Sequence, residues 1–303
     1  MKPSPSPKVI VILGPTASGK SSLGVALARQ FNGEIISADS RQVYRGLNIG
    51  SGKITKREMR GIPHHLLDVA SPRRRFTVTQ FQKLGRTAMR SIVAKGKTPI
   101  IVGGTGFFID ALLYDYPLPS AKPDHKLRSQ LDKKTAEELF ARLQALDPRR
   151  AGSIDSHNKR RLIRALEIIA QTGQPVPAAG DALRKKSSYH VLKIGLRLPT
   201  ETLQRNIHTR LLARLRQGMI GEVKKLRADG LGWQRLEDLG LEYRFVGRFL
   251  QKLISRQQMT EQLETEIRRY AKRQMTWFKR DNGIHWISTA QEAPVMVREF
   301  LGV

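Results

Sequence analysis

Three features of the sequence predict an α/β fold, a parallel sheet with a helical insertion domain and a helical C-terminal region. The first is an apolar run, Val9-Ile10-Val11-Ile12-Leu13, leading into Gly14-Pro15-Thr16-Ala17-Ser18-Gly19-Lys20-Ser21 and then into a helical pattern from Leu23 to Ala28. Strand, G-x-x-x-x-G-K-[ST], helix is the context that makes this spacing a phosphate-binding loop, so the sheet is P-loop NTPase-like. The second is a succession of further apolar runs, Glu34–Ala38, Ile62–Val69 and Thr98–Val102, each read as a strand. The third is a change of texture from Tyr116. Pro117, Pro119 and Pro123 mark a linker, charged helical segments follow, and strand texture returns at His190–Leu196. The resulting division is a first part of the core at residues 1–119, a helical insertion at 120–188, and the rest of the core with a basic helical region at 189–303.

The loop at 14–21 has a direct physical reading. Its glycines let the backbone curl until successive N–H groups face one anion, and the following helix adds partial positive charge. Lys20 brings a full charge and Ser21 a hydroxyl within reach of a bound Mg²⁺. Nucleoside triphosphates are the usual ligands of such a loop, but any diphosphate satisfies the same donors.

The second strand, Glu34–Ala38, ends at Asp39-Ser40-Arg41-Gln42. Polar groups just past strand carboxyl ends face the ligand crevice of an open α/β sheet. Asp39 is therefore a candidate general base or metal-shell carboxylate, with a turn cap as the plainer alternative. His64 and His65, adjacent on the third strand, point to opposite faces and make a poor metal pair, so they read as structural or as supporting groups behind a site. Thr77 is placed to cap a helix that runs to about Ala94. The fourth strand ends in Gly103-Gly104-Thr105-Gly106 ahead of a helix at Phe107–Leu113. A second Gly-rich turn again allows close approach, and Thr105 holds its only hydroxyl.

Within the insertion, helices are read at Lys133–Leu146 and Asn158–Gln171, the second closed by Thr172-Gly173-Gln174-Pro175. Arg161 and Arg164 share one face, opposite Leu162, Ala165, Leu166 and Ile169. That basic face is either solvated or turned to nucleic acid. After the fifth strand the chain reads as helical: Glu201–Gln217 with Leu203, Ile207, Leu211 and Leu215 in register, Ile220–Ala228, Tyr243–Leu253, and a long helix from about Thr260 to Arg280. In the last, Leu263, Ile267, Tyr270, Ala271, Gln274 and Trp277 track one side. Six Lys/Arg and no acid lie between Arg268 and Arg280, interleaved with Tyr270, Trp277 and Phe278. Basic groups neutralise phosphates and aromatic rings stack on unpaired bases.

Composition agrees. With 303 residues and 40% hydrophobic content, the chain can bury one large core or two. The absence of cysteine excludes disulfides and Cys-type zinc sites. No apolar run reaches the roughly 18–20 residues of a membrane span, and the Pro-rich start, Met1 to Lys8, is followed by a run too short for a secretion signal. A formal charge of +28 points to a polyanionic partner. A mechanical ATPase would carry a second strand ending in a metal-binding Asp; only Asp39 offers itself, which favours a transfer enzyme. A P-loop kinase using ATP and a non-catalytic RNA binder remain as alternatives, the first separable by ATP turnover and the second opposed by intact Lys20, Ser21, Asp39 and Thr105.

Taken together, residues 14–21, Asp39-Ser40-Arg41-Gln42-Val43-Tyr44, Gly61 to Asp68, Val102 to Gly106, Arg160–Glu167 and Tyr270-Ala271-Lys272-Arg273-Gln274-Met275-Thr276-Trp277-Phe278 closely resemble the tRNA dimethylallyltransferase (tRNA isopentenyltransferase) family, in family order and over nearly the whole chain. The lack of cysteine resembles the bacterial form. The resemblance implies that the loop Gly14, Pro15, Thr16, Ala17, Ser18, Gly19, Lys20 and Ser21 holds the diphosphate of dimethylallyl diphosphate. The acceptor it implies is N6 of the adenine 3′ of the anticodon, in tRNAs reading codons that begin with U. It implies Asp39 as the base, Thr105 and Arg210 as catalytic partners, and Mg²⁺ on Ser21 and Asp39. Arg210 matches the family arginine in Ile207-His208-Thr209-Arg210. The tRNA anticodon stem-loop would be held by Asp39, Ser40, Arg41, Gln42, Thr105, Arg128, Arg160, Arg161, Arg164, Lys272, Arg273, Gln274, Trp277 and Lys279. The expected enzyme is a cytoplasmic monomer with no membrane contact. Two departures stand out: Arg214 replaces a usual Met, and Gly240-Leu241-Glu242-Tyr243-Arg244 replaces the usual Ile-Gly-Tyr-Lys/Arg-Glu/Gln.

Overall fold

Apolar β-branched residues at 9–12 leave strand β1, Lys8–Leu13, with five of its six residues buried. Such a run, apolar on both faces, belongs inside a parallel sheet. The structure is a computed structural model and describes residues 6–114, 121–176 and 187–303. After β1 come helix α1 (Lys20–Gln30), strand β2 (Gly33–Ser37), a short helix α2 (Lys56–Met59), strand β3 (His64–His65), helix α3 (Val78–Ala94), strand β4 (Thr98–Gly103) and helix α4 (Gly106–Leu113). Thr77 caps α3 through its hydroxyl, and Gln80 reciprocates to complete a capping box.

Residues Tyr114–Lys186 form a separate compact unit. Pro117, Pro119 and Ser120, where the linker and the start of the insertion are expected, lie outside the described residues, as do residues 1–5 of the Pro-rich tail. The unit contains α5 (His125–Leu131), α6 (Ala136–Leu146), α7 (Pro148–Ala151) and α8 (Lys159–Thr172). Its core is Leu131, Leu139, Leu143, Leu162, Ala165 and Leu166, with Ile163 and Ile168 widening the stripe read on α8. Gly173 ends α8 at φ 64°. Neither α5 nor α7 is legible in the sequence, being only 7 and 4 residues long.

The first unit resumes with strand β5 (His190–Leu196), helices α9 (Thr200–Arg216), α10 (Met219–Ala228), α11 (Trp233–Leu239), α12 (Leu241–Leu250) and α13 (Arg256–Phe278), strand β6 (Ile284–Ile287) and helix α14 (Ala293–Leu301). The six strands make one sheet in the order β3-β2-β4-β1-β5-β6, every pairing parallel. One core cluster packs on the sheet around Ile10, Ile12, Ile100 and Ile194. A second gathers Val43, Tyr44 and Leu47 with the buried faces of α9 to α13.

Three expectations need correction. The strand read at Ile62–Val69 contracts to two half-buried residues, because Leu66 (φ 65°) and Asp68 (φ 56°) turn the backbone out of the extended region. The long C-terminal helix starts at Arg256, not near Thr260, because Ser255 caps it in a box with Gln258. A sixth strand, β6, lies in a stretch read as mostly helical; it adds the edge beside β5.

Candidate active site

Parallel pairing aligns the carboxyl ends of β1, β2 and β4, with Leu13 opposite Gly103 and Ser37 opposite Val102. The three loops that leave these ends therefore meet. They carry the P-loop, Asp39 to Gln42, and Gly103 to Thr105. Main-chain bonds fasten the second loop to the third: Ala38 N–H donates to Val102 O (2.8 Å) and Thr105 N–H to Ala38 O (3.2 Å).

Gly19 (φ 92°) precedes α1 in a left-handed conformation, and no side chain caps the helix. The first-turn N–H groups of an 11-residue helix thus lie beside the loop without a side-chain acceptor. Ser18 Oγ is buried and has no hydrogen-bond partner among the described residues. Lys20 Nζ folds back to Pro15 O at 2.5 Å. Burial, then the nearby Arg210 guanidinium, push the Lys20 ammonium down to about 7, against the pull of Asp39. Among the described residues no acceptor takes a hydrogen bond from Arg210, whose pKa burial and Arg214 lower to about 10. These are groups shaped for an anion that the protein itself does not supply.

Asp39 Oδ1 accepts the N–H groups of Arg41 (2.8 Å) and Gln42 (3.3 Å), so the carboxylate caps its own turn. Oδ2 makes no hydrogen bond among the described residues, so the cap reading and the base reading are compatible. Thr105 Oγ1 accepts from Ser40 N–H (3.2 Å) and lies near the Tyr270 hydroxyl, whose pKa burial raises to about 12.

A pocket collects Thr16, Lys20, Ser21, Asp39, Arg41, Arg210 and Tyr270, with Val102, Leu241 and Ile267 as apolar lining. A second opens on the loop toward Glu58, Arg205 and Thr209. Ala17, Lys20, Ser21, Gly52 and Arg210 line both, so the P-loop is reached from two directions. No cluster of three or more His, Asp or Glu able to hold a metal by itself exists among the described residues. Ser21 and Asp39 in one pocket do fit Mg²⁺, which completes its shell with phosphate oxygens and water.

The residues expected to touch RNA divide into two kinds. Lys272, Arg273 and Lys279 are exposed on α13 and at its end, with the Arg273 guanidinium 5.9 Å from the Tyr270 ring centre. Gln274 is buried and clamps two loops: it accepts from Thr16 N–H (2.8 Å) and donates to Gly104 O (2.9 Å). Gly104 is a glycine for that reason, since a Cβ there would stand 2.2 Å from the Gln274 amide nitrogen. Trp277 Nε1 donates to Asp110 Oδ2 (2.9 Å), and its ring packs over Gly106. Burial raises Asp110 to about 6 despite that bond. Both side chains thus serve the fold, a role that their position on an aromatic-basic helix does not announce.

In the insertion, Arg160 and Arg161 are exposed. Arg128 and Arg164 hold the fully buried Glu167: Arg128 Nε and Nη2 each donate at 2.7 Å, Arg164 Nη1 at 2.5 Å. Burial alone would raise the Glu167 carboxyl, but these two guanidinium groups and the Asp124 N–H hold it at about 2. Glu242, Arg214, Gly52 and Tyr270 line the pocket without having been expected there. Only the departures from family pattern at 214 and 240–244 signalled two of them.

Two family models match the chain, IPP transferase over residues 42–281 and isopentenyl transferase over residues 7–75. The tRNA dimethylallyltransferase of Anoxybacillus flavithermus is 40% identical over 94% of this chain and 91% of its own. The tRNA dimethylallyltransferase 2 of Citrifermentans bemidjiense is 42% identical over 99% and 96%. Among solved structures, the tRNA isopentenylpyrophosphate transferase of Staphylococcus epidermidis superposes with a TM-score of 0.72 at 34% identity, covering 98% of this chain and 99% of that one. A eukaryotic dimethylallyltransferase acting on tRNA gives 0.84 at 27% identity, over 98% and 80%.

Proposed function

Since the chain belongs to the IPP transferase family and transfers a dimethylallyl group to tRNA, we propose that dimethylallyl diphosphate is the donor and N6 of the adenine 3′ of the anticodon the acceptor, in tRNAs reading codons that begin with U. The observation that carries this reading is the meeting of an anion cradle and a free carboxylate oxygen in one pocket that also has apolar walls. The cradle is Lys20, Arg210 and the uncapped start of α1; the carboxylate is Asp39.

The exocyclic amine of adenine is a weak nucleophile, so both ends of the transfer need help. Asp39 hydrogen-bonds the amine and takes its proton as the N–C bond forms, its geometry fixed by the Arg41 and Gln42 N–H groups. The C–O bond to the diphosphate breaks with cation character on the allylic carbon. Lys20, Arg210, the P-loop N–H groups and the Thr105 hydroxyl receive the charge that develops on the leaving group. Val102, Leu241 and Ile267 exclude water from the prenyl chain. Mg²⁺ held by Ser21 and Asp39 would add charge to the leaving diphosphate. The adenine comes from a single-stranded loop and leaves its stack at modest cost. Lys272, Arg273 and Lys279 on one unit, and Arg160 and Arg161 on the other, are exposed cations that would face the tRNA backbone. No helix among the described residues is long and apolar enough to cross a membrane. We read the enzyme as a cytoplasmic monomer.

The test is transfer of label. Wild-type protein, Mg²⁺, radiolabelled dimethylallyl diphosphate and unmodified tRNA should give labelled RNA, and Lys20→Ala should not. Label appearing at equal rate with Lys20→Ala would remove the P-loop from the donor site.

A further inference from the structure

The two departures from the family pattern, Arg214 and the 240–244 segment, meet in space. Arg214 follows Arg210 by one turn of α9, so the two guanidinium groups leave the helix on one face. Arg214 Nη1 donates to Glu242 Oε1 at 3.1 Å and to Gly50 O at 3.4 Å. The two side chains are only 13% and 10% exposed, and both line the pocket of Lys20, Asp39 and Arg210. Glu242 reaches it because the chain enters α12 through Gly240 at φ 72° and Leu241 at φ 41°.

The position of Arg214 is tightly drawn. A Cβ on Gly52 would lie 1.7 Å from Arg214 Nη2 and 3.2 Å from Arg210 Nη2, so both guanidinium groups crowd the same backbone point. Like charges at that distance repel, and a cation this buried is costly without a counter-charge. Glu242 supplies one, but to a single edge of the guanidinium. A guanidinium has five N–H donors in a planar fork, and among the described residues only Nη1 donates, to Glu242 and Gly50 O. Lys20, Arg210 and Arg214 thus form a continuous run of cations beside the P-loop.

We propose that Arg214 is a further ligand of the donor's diphosphate in this chain, and that Glu242 is the positioning residue that holds it in the pocket. The inference rests on the reading of this pocket as the donor site. The pair acts as a unit, which gives its test a pattern. With Arg214 present, Glu242 aims it; with Arg214 gone, Glu242 has no cation to aim, and a buried carboxyl without its counter-charge takes up a proton.

Pyrophosphate affinity by calorimetry, and KM and kcat with dimethylallyl diphosphate and tRNA, read this out. Arg214→Met should weaken pyrophosphate about ten- to hundredfold, the scale of one missing charge-assisted bond, and raise the donor KM with little change in the tRNA KM. Arg214→Lys, which keeps the charge, should recover most of the affinity, and its recovery separates loss of charge from loss of fold. Glu242→Ala should weaken pyrophosphate in the wild type and change its affinity little in the Arg214→Met background. If Arg214→Met binds pyrophosphate within twofold of wild type while Lys20→Ala does not bind, the pair is structural and the inference is wrong, with the donor reading intact. A raised tRNA KM at unchanged pyrophosphate affinity would assign Arg214 to RNA instead. Unchanged pyrophosphate binding by Lys20→Ala as well would overturn the donor reading itself.

Discussion

Asp39 divides its carboxylate between fold and chemistry. One oxygen closes the turn through two N–H groups and the other makes no bond among the described residues. Asp39→Asn keeps an acceptor for the turn and removes the base. We expect kcat to fall by about 10²- to 10⁴-fold with tRNA affinity near wild type, because the base acts on the transition state. Single-turnover transfer together with a tRNA binding isotherm checks this, and normal turnover would exclude Asp39 as the base. Lys20 gives a prediction in pH. Its ammonium sits at about 7, so in the free protein it loses its proton as pH rises above that value. A diphosphate favours the protonated form, so the drop in affinity above pH 7 approaches about tenfold per unit. Lys20→Arg stays charged throughout. The ratio of pyrophosphate affinities, wild type over Lys20→Arg, cancels the ligand's own titration and should fall between about pH 7 and 9. A flat ratio would mean that Lys20 is charged across the range.

At the scale of elements, the interior of α8 matters more than its outer face. Glu167 is fully buried and its carboxyl stands at about 2, held by Arg128, Arg164 and the Asp124 N–H. A depressed carboxyl contributes stability above its unfolded value of about 4.3, and that stability disappears as pH falls toward about 2. Glu167→Gln leaves two guanidinium groups without their counter-charge. Because those groups are 27% and 36% exposed, a cost on the order of 3 kcal/mol is expected rather than the upper end for buried pairs. Hydrogen exchange at residues 121–176 should show the destabilisation at about pH 7 and a smaller difference at about pH 3. What was legible at this scale follows the range of the interactions. The P-loop, the Thr77 cap and the Gly173 stop are written within a few residues of themselves, and each stands where the pattern puts it. The partners of Gln274, 258 and 170 residues away, are not written in α13 at all, so its clamp on two loops is not legible there. Arg214 and Glu242 are 28 residues apart, and neither alone says that it meets the other. The strand around β3 is cut short by backbone turns at Leu66 and Asp68, in a run whose composition still reads as strand.

At the scale of the whole molecule, the formal charge of +28 is more than one diphosphate requires. Lys20, Arg210 and Arg214 serve the pocket, and several other cations, such as Lys95 and Lys97 on Glu34 or Lys193 on Asp281, are taken up in internal ion pairs. Lys272, Arg273 and Lys279 are among the exposed cations that remain for a polyanion outside the pocket. Such cations act on RNA by displacing condensed counterions, so their contribution is read in the salt dependence of binding. Arg273→Ala with Lys279→Ala touches neither the P-loop nor the Gln274 clamp, so donor affinity should stay unchanged. The affinity for tRNA should fall, and the slope of log K against log salt should flatten by about one unit for each phosphate that is no longer neutralised. Binding isotherms over a salt range of about 50 to 300 mM are enough to define both slopes. A lower affinity with an unchanged slope would make the effect one of shape rather than charge. No change in either would place the RNA on another face, and the exposed cations of α13 would then be a solvated surface.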